Sequence, residues 1–477
     1  MRSPLRRRAW GAILVKEFQI YEYPPPEEVF SPFAPFFLPF RPGPTVRSEP
    51  PGGMLSEASL TCDIFQRPGG YQNCPSSGAR VLPHKPAHVR KGIFDGPEGL
   101  PRIPRSGEKG RSMTSTVAPL FAPPPPAAPP EDLSRASADE VQHFFSRTPR
   151  EELLRRASAV CQRVHGSRVL IRGLLEFSNV CARNCLYCGI REGNSRVRRY
   201  RLSEEDIPRT VRGAFAVGYR TFVLQSGEDP SFSPARLCRL VEALREDLGA
   251  SWALTLSCGI FPRQVYRDLF RAGANRYLLR FETADPGLHR RLRGGVSLEE
   301  RLQALRDLRE EGYQVGSGYM VGLPGETDEG FLANALLCRE LELDMVGIGP
   351  FLPHPDTPLA ASAAGTAERT LEALALVRLL LPRAHIPATT ALATVHPGGR
   401  ARGYEAGANV VMVNLTPGEV KGNYLLYPEK EGVHLDAPRA LEAQMEELGR
   451  CGRTGSLERG DALSRRSSSA QERKECS

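Results

Sequence analysis

Residues 176–189 read Glu-Phe-Ser-Asn-Val-Cys-Ala-Arg-Asn-Cys-Leu-Tyr-Cys-Gly, placing Cys181, Cys185 and Cys188 in a C-x3-C-x2-C run directly after an apolar segment. A structural zinc site wants four ligands in tetrahedral array, usually from paired knuckles, and the chain has no second C-x2-C pair. A [4Fe-4S] cluster is usually held by four thiolates, so three cysteines in one tight loop would leave one iron open to an exogenous ligand. Tyr187, beside the last cysteine, stands where a ring could stack on that ligand. Two other readings compete: buried apolar cysteines, or zinc held by these three and a distant group. The spacing, the aromatic and the preceding strand weigh against both.

Outward from this loop, short apolar runs alternate with longer amphipathic ones. The apolar runs predict eight strands, at 168–177, 221–226, 253–258, 276–282, 315–322, 345–351, 386–391 and 408–414. The amphipathic runs predict helices at 204–217, 234–248, 262–272, 298–311, 328–342, 366–381 and 398–406, with two more before the first strand and one at 438–449. Strand then helix, eight times over, is the pattern of an α/β fold, a (βα)8 TIM-type barrel. The barrel with its leading helices is expected over 131–433.

The ends read differently. Residues 1–130 are rich in Pro, Gly and Arg without a persistent period, as expected of a disordered extension. Gly107-Glu108-Lys109-Gly110 precedes Met113 as codons of a ribosome-binding site would, so translation is expected to begin at Met113 and 1–112 to be an upstream mis-start. Residues 434–477 are expected to hold a last helix and, from Cys451, a disordered tail. Of 11 cysteines, those outside the triplet lie singly, which excludes a disulfide framework and predicts a reducing, anaerobic cytoplasm. No apolar run is long enough for a membrane span. Net charge is +8, but the arginines alternate with Glu along helices, so a solvated surface accounts for them better than nucleic acid.

Chemistry in such barrels sits at the carboxyl ends of the strands. The second strand ends Gln225-Ser226-Gly227-Glu228-Asp229, where Gly227 permits close backbone approach and Glu228 can take an ammonium group. The fourth ends Arg280-Phe281-Glu282, a cation and an anion on one face, and buried charges need partners. The fifth runs into Gly322-Leu-Pro-Gly325-Glu326-Thr327, a turn that lets backbone groups reach an adenine or ribose. His354, after the sixth, is either catalytic or a hydrogen-bonded loop histidine. Thr389 and Thr390, with Asn414 and Thr416, fall at the mouth, and Tyr424 and Tyr427 are spaced to share a face of a short helix.

From Glu151 to Val433 the chain resembles HydE, the family of radical S-adenosylmethionine (SAM) maturases of the [FeFe]-hydrogenase active-site cluster. The resemblance rests on EFSNVCARNCLYCG, VLQSGEDP, RYLLRFETADPGLHRRLR, YMVGLPGET, DMVGIGPFLPHPDTPLA, IPATTALATVHPGGR and GANVVMVNLTP. It implies a closed barrel, one [4Fe-4S] cluster on Cys181, Cys185 and Cys188, and SAM on the open iron. Tyr187 would pack near adenine, Gly227 and Glu228 would meet the methionine amino group, and Arg280, Glu282 and Arg301 would make the polar SAM contacts. Arg276, Met345, Thr389, Thr390, Tyr424 and Tyr427 would line the substrate cavity. The implied substrate is a mononuclear iron carbonyl cyanide species bearing cysteine, attacked by a 5′-deoxyadenosyl radical. Implied partners are a ferredoxin or flavodoxin as electron donor and the other hydrogenase maturases, without nucleic acid or membrane.

Three departures from that family stand out. Residues 415–450 carry no cysteine for an accessory cluster, Phe281 replaces an expected histidine and Ile260 an expected glutamate. The last two predict an altered cavity. They admit a second function, radical SAM chemistry on a small amino acid or thiazolidine-like compound; a third is a non-catalytic iron–sulfur scaffold.

Overall fold

The apolar run before the cysteines forms strand β1 (Arg168–Ser178), and its alternation sets the architecture of everything around it. Val169, Ile171, Leu175 and Phe177 join the main hydrophobic core, whereas Leu174 and Glu176 face an internal cavity. That is the period of two expected of a strand with a helical layer on one side and a barrel interior on the other. The computed structural model describes residues 133–428 and 437–463.

Seven further strands follow: β2 (Thr221–Ser226), β3 (Ala253–Ser257), β4 (Arg276–Leu278), β5 (Gln314–Val321), β6 (Met345–Pro350), β7 (Val410–Asn414) and β8 (Thr454–Ser456). The sheet runs β6-β5-β4-β3-β2-β1-β7, and its pairings are parallel. Isolated parallel bridges, Met345 to His385 and Pro387 to Val410, carry the curl from β6 round to β7. The expected strand at 386–391 is reduced to these bridges. Pro387 has no N–H to give a ladder, and Thr389 caps a helix, Thr390–Val395, with its hydroxyl accepting from Leu392 N–H.

Helices pack outside the sheet, and the sequence marks their starts. Ser233, Ser297, Thr327 and Thr366 each accept a hydrogen bond from an N–H of the first turn, satisfying donors that a helix cannot pair internally. Glycines take some inward positions of β5 and β6, where at φ +152 a Cβ on Gly318 would lie 2.0 Å from the Gly347 carbonyl oxygen.

The expected extension at 1–130 and the Met113 start lie outside the described residues. The tail does not match its expectation: the part from Cys451 to Leu463 is structured. β8 pairs in parallel with the start of β1, and the following residues cross beneath the amino ends of the strands. Arg276, at the start of β4, donates to the Arg459 and Gly460 carbonyls and to Asp461 Oδ1 at 2.7, 2.9 and 2.9 Å. Gln314 also donates to Asp461 Oδ1. A polar, glycine-containing segment reads as disordered by composition, but here its groups are complementary to charges left under the barrel.

Burial opposes ionisation of Asp461, but the Gln314 amide and the Arg276 charge prevail and hold its carboxyl at about 2. The folded value is below the unfolded one of roughly 4. The pair therefore stabilises the fold above that pH and loses its effect as pH falls toward 2. Asp461→Asn should cost about 2 kcal/mol at neutral pH, lowering the thermal midpoint by about 3 °C. It should also flatten the acid limb of the midpoint-against-pH curve. Equal midpoints at pH 7 would show that the segment does not brace the barrel.

Candidate active site

A cavity of about 340 Å3 opens among the carboxyl ends of the strands, and all three loop cysteines line it. Cys185 is buried at 5% exposure, and Cys181 and Cys188 are half-buried. Leu186 N–H donates to the Leu292 carbonyl at 2.9 Å, tying the loop to the end of helix Pro286–Leu292. Burial pushes all three thiols up, so thiolates here call for a bound cationic centre, the chemistry of a metal-ligand set. Arg183 N–H and Glu228 N–H both point at Cys181 Sγ, at 3.4 Å; such bonds to sulfur tune iron–sulfur clusters. Among the described residues no three His, Cys, Asp or Glu converge on one point as a single ion needs. Ligands of three different irons in a cube need not do so.

Gly227 explains how the loop sits so close to β2. A Cβ there would lie 2.2 Å from the Val180 carbonyl oxygen and 2.6 Å from Cys181 Cβ, and neither is a flexible chain end. Gly227→Ala should therefore displace the first ligand and reduce iron retained after anaerobic reconstitution several-fold, while the fold persists by circular dichroism. Iron content equal to wild type would refute the steric argument.

Beside the cysteines, the wall is charged. Glu228 accepts from Arg183 Nε at 2.6 Å, and Arg293 and Arg301 each approach its other oxygen at 3.7 Å. Arg280 Nη2 lies 3.3 Å from Glu282 Oε2 without hydrogen-bond geometry. Buried nitrogens of Arg280 and Arg301 and the Glu282 oxygen have no hydrogen-bond partner among the described residues. Native proteins leave few such groups unpaired, and those they leave need a reason. Glu282 also holds φ +69, a conformation unfavourable outside glycine that concentrates at functional sites. Its backbone is fixed there by bonds to Gly318 and from Met320. Orphaned cationic and anionic groups on one wall fit a ligand carrying both an ammonium and a carboxylate.

The cavity gathers most of the residues singled out from sequence: Tyr187, Gly227, Glu228, Arg280, Glu282, Arg301, Met345, Thr389, Thr390, Tyr424 and Tyr427 all line it. Others fall elsewhere. Arg276 lies under the barrel, walling a separate small void with Arg172 and His385. Tyr424 and Tyr427 stand on an irregular segment after the short helix Gly418–Lys421, not on a helix of their own. Phe281 points outward and stacks on Tyr319, and Ile260 packs against the core, so neither departure alters the cavity wall. His354 is a hydrogen-bonded loop histidine, its Nδ1 accepting from Asp356 N–H, and it is not a lining residue. The turn at 322–327 folds onto itself, Glu326 accepting from Gly322 N–H and Asn334, and does not reach the cavity. Arg293 was not foreseen: it is 8% exposed and donates to the Tyr187 hydroxyl at 3.0 Å, fixing the ring. In sequence it is one arginine among several at a helix end.

A curled parallel sheet whose first strand delivers three cysteines to the mouth of a charged cavity defines a radical SAM enzyme, and residues 175–338 match the radical SAM superfamily model. The chain is 46% identical over 299 residues to the [FeFe] hydrogenase maturase subunit HydE of Thermotoga maritima, a match covering 63% of this chain and 85% of that protein. It belongs to the HydE family of radical SAM hydrogenase maturases, which use a [4Fe-4S] cluster and SAM. It is also 30% identical over 290 residues to 3-methylornithine synthase of Methanosarcina acetivorans, covering 60% of this chain and 81% of that one. The structure of a methylornithine synthase, PylB, superposes with TM-score 0.57 at 26% identity, covering 67% and 94% of the two chains. Among the described residues no helix is long and apolar enough to cross a membrane.

Proposed function

We propose that this radical SAM maturase acts on a small anionic iron species, a mononuclear iron carbonyl cyanide bearing cysteine, enclosed in the barrel. The observation that carries the reading is the orphaned charge on the cavity wall, where buried arginine nitrogens and a glutamate oxygen lack partners as a SAM site would leave them; the iron species is the substrate that membership of the HydE family suggests. Cys181, Cys185 and Cys188 would hold the cluster, and Glu228 would take the SAM ammonium. Arg280 and Arg301 would meet its carboxylate, and Tyr187, pinned by Arg293, would flank the adenine. Bound together, cluster and SAM supply a 5′-deoxyadenosyl radical by one-electron cleavage of the sulfonium. The chain's part is to orient, and to exclude water and oxygen from the interior. Farther in, the Gln225 amide donates to the Tyr424 hydroxyl at 3.2 Å, and with Thr389 these groups offer hydrogen bonds to a polar ligand.

The test is anaerobic reconstitution followed by SAM cleavage with and without the iron–cysteine species, with mass spectrometry of adducts. We expect 5′-deoxyadenosine formation to rise at least tenfold with that species and an adenosyl adduct to appear. Equal formation with and without it would overturn the substrate, and stimulation by a thiazolidine alone would favour the amino-acid reading. No 5′-deoxyadenosine under any condition would leave only the scaffold reading.

A further inference from the structure

Arg293 stands apart from its neighbours on the charged wall. Arg183 is hydrogen-bonded to Glu228, and Arg280 lies beside Glu282. The Arg293 side chain makes one hydrogen bond among the described residues, and it goes to a neutral hydroxyl, that of Tyr187. Glu228 comes no nearer than 3.7 Å and is shared with Arg183 and Arg301. Nε is buried without a partner. A guanidinium cannot lose its proton in a protein. A cation only 8% exposed is therefore left with little protein charge to balance it, and buried charge needs a counterpart.

Its surroundings point to that counterpart. Arg293 ends helix Pro286–Leu292, its own N–H donating to the His289 carbonyl, and Leu186 N–H bonds to the Leu292 carbonyl one residue earlier. Just beyond it, a Cβ on Gly294 would lie 3.2 Å from the Asn184 carbonyl oxygen. The residue is thus held from two sides against the stretch that runs from Cys185 to Cys188 and carries Tyr187. Arg293 and all three loop cysteines line one cavity. Burial pushes the Cys185 thiol up, and Arg293 is the strongest charge pulling it back; the Tyr187 hydroxyl acts in the same direction. Glu282 and His289 also face Arg293, and burial, with the Arg293 charge, pushes His289 down to about 4, so that it adds no charge at neutral pH.

We propose that Arg293 is a fixed cation that favours the reduced state of the cluster on Cys181, Cys185 and Cys188, acting by its charge and through the Tyr187 hydroxyl that it holds. It is a positioning residue for the cluster rather than a catalytic one. The inference rests on the proposed function only in requiring that cluster, and it is independent of the substrate. Reduction adds one electron, and with it one negative charge, to the cluster; a low-potential reductant is oxidised by one electron, and no proton moves. A buried cation close by lowers the energy of the more negative form, because charges inside a protein are screened far less than in water. Net charge and hydrogen bonds to the sulfurs are among the controls of a cluster's potential.

The experiment is a redox titration of anaerobically reconstituted protein without SAM or substrate. Dithionite and viologen mediators set the potential, and the electron paramagnetic resonance signal counts the reduced cluster. Arg293→Met should lower the equilibrium constant for reduction at least tenfold, a fall of about 59 mV in the midpoint of a one-electron couple. Arg293→Lys should recover at least half of that shift, because the charge returns. Tyr187→Phe, which keeps the charge and removes the hydroxyl, should shift the constant by no more than about threefold. Iron and sulfide content should match wild type in each variant. A wild-type potential in Arg293→Met would overturn the proposal and leave the radical SAM reading intact. Equal shifts in the methionine and lysine variants would also overturn it, because shape rather than charge would then matter. So would a Tyr187→Phe shift as large as that of Arg293→Met. If Arg293→Met binds less iron, Arg293→Gln is titrated in its place; loss of iron from both would overturn the proposal by making the arginine a support of the loop. A wild type that builds no iron–sulfur cluster would be a different result, the failure of the cofactor assignment itself.

Discussion

Cys185→Ala should leave a folded protein that retains little iron after anaerobic reconstitution and forms no 5′-deoxyadenosine above the level of a protein-free blank. Cys185 is the most buried of the three loop cysteines, and burial disfavours its free thiolate. The groups beside it, Tyr187, Arg293, Glu228 and Glu282, offer no thiolate in its place, and two cysteines cannot hold a cube against solvent exchange. The useful control is Cys338→Ala. Cys338 is fully buried in the main core on helix Asp328–Glu340, so its loss should cost roughly 1 kcal/mol of packing and leave iron content and SAM cleavage unchanged. Iron and sulfide analysis with the visible spectrum separates the two. If Cys185→Ala retained wild-type iron, or if wild type took up zinc in preference, the three-ligand reading would fail, and with it the interpretation of the charged wall.

What could be read from sequence was what short-range physics determines. Helix Pro234–Leu248 was legible to the residue because Ser233, Pro234 and Gly249 mark its ends and the apolar period fills it. The ends of β1 and β2 were legible because a cysteine loop and a small residue beside a carboxylate each imply a geometry, whereas β4 stops at Leu278, short of the expected 282, and the alternating charges of Arg280 and Glu282 lie beyond it. The misses share a cause. The strand at 386–391 was apolar enough, but Pro387 and the capping of Thr389 outweighed its pattern. Helix Pro286–Leu292 is too short to display a period and was passed over. Residues 451–463 lack an apolar period because their order comes from Asp461 and backbone carbonyls meeting Arg276, a partner far away in the chain. Arg276 was misplaced for the same reason: it opens its strand, and in a parallel barrel the strand's other end faces the chemistry. Arg293 needed the fold, because only folding brings the end of helix Pro286–Leu292 against the cysteine loop.

Arg301→Met should weaken SAM binding about a hundredfold while leaving the fold as stable as wild type, or slightly more so. Arg301 is 3% exposed on helix Leu298–Glu310. One of its nitrogens donates to the Arg280 carbonyl at 3.1 Å, and another lies 3.7 Å from Glu228, too far for a hydrogen bond. Nε and Nη2 have no hydrogen-bond partner among the described residues. The buried charge is thus only partly compensated by the protein, and replacing such a charge with an apolar chain of similar length often costs nothing or stabilises. A ligand carboxylate would complete it. Hydrogen bonds to a charged group contribute about 1.5–3 kcal/mol each, so losing one or two corresponds to roughly 10- to 10⁴-fold in affinity. Equilibrium dialysis of SAM against reconstituted holoenzyme reads the affinity, and a melting curve reads the fold. Arg301→Lys should recover part of the affinity, because a point charge returns without the fork that addresses two oxygens at once. A purely structural arginine would behave in the opposite way: the methionine variant would melt earlier and bind SAM as wild type does, and that pair of results would remove Arg301 from the SAM site.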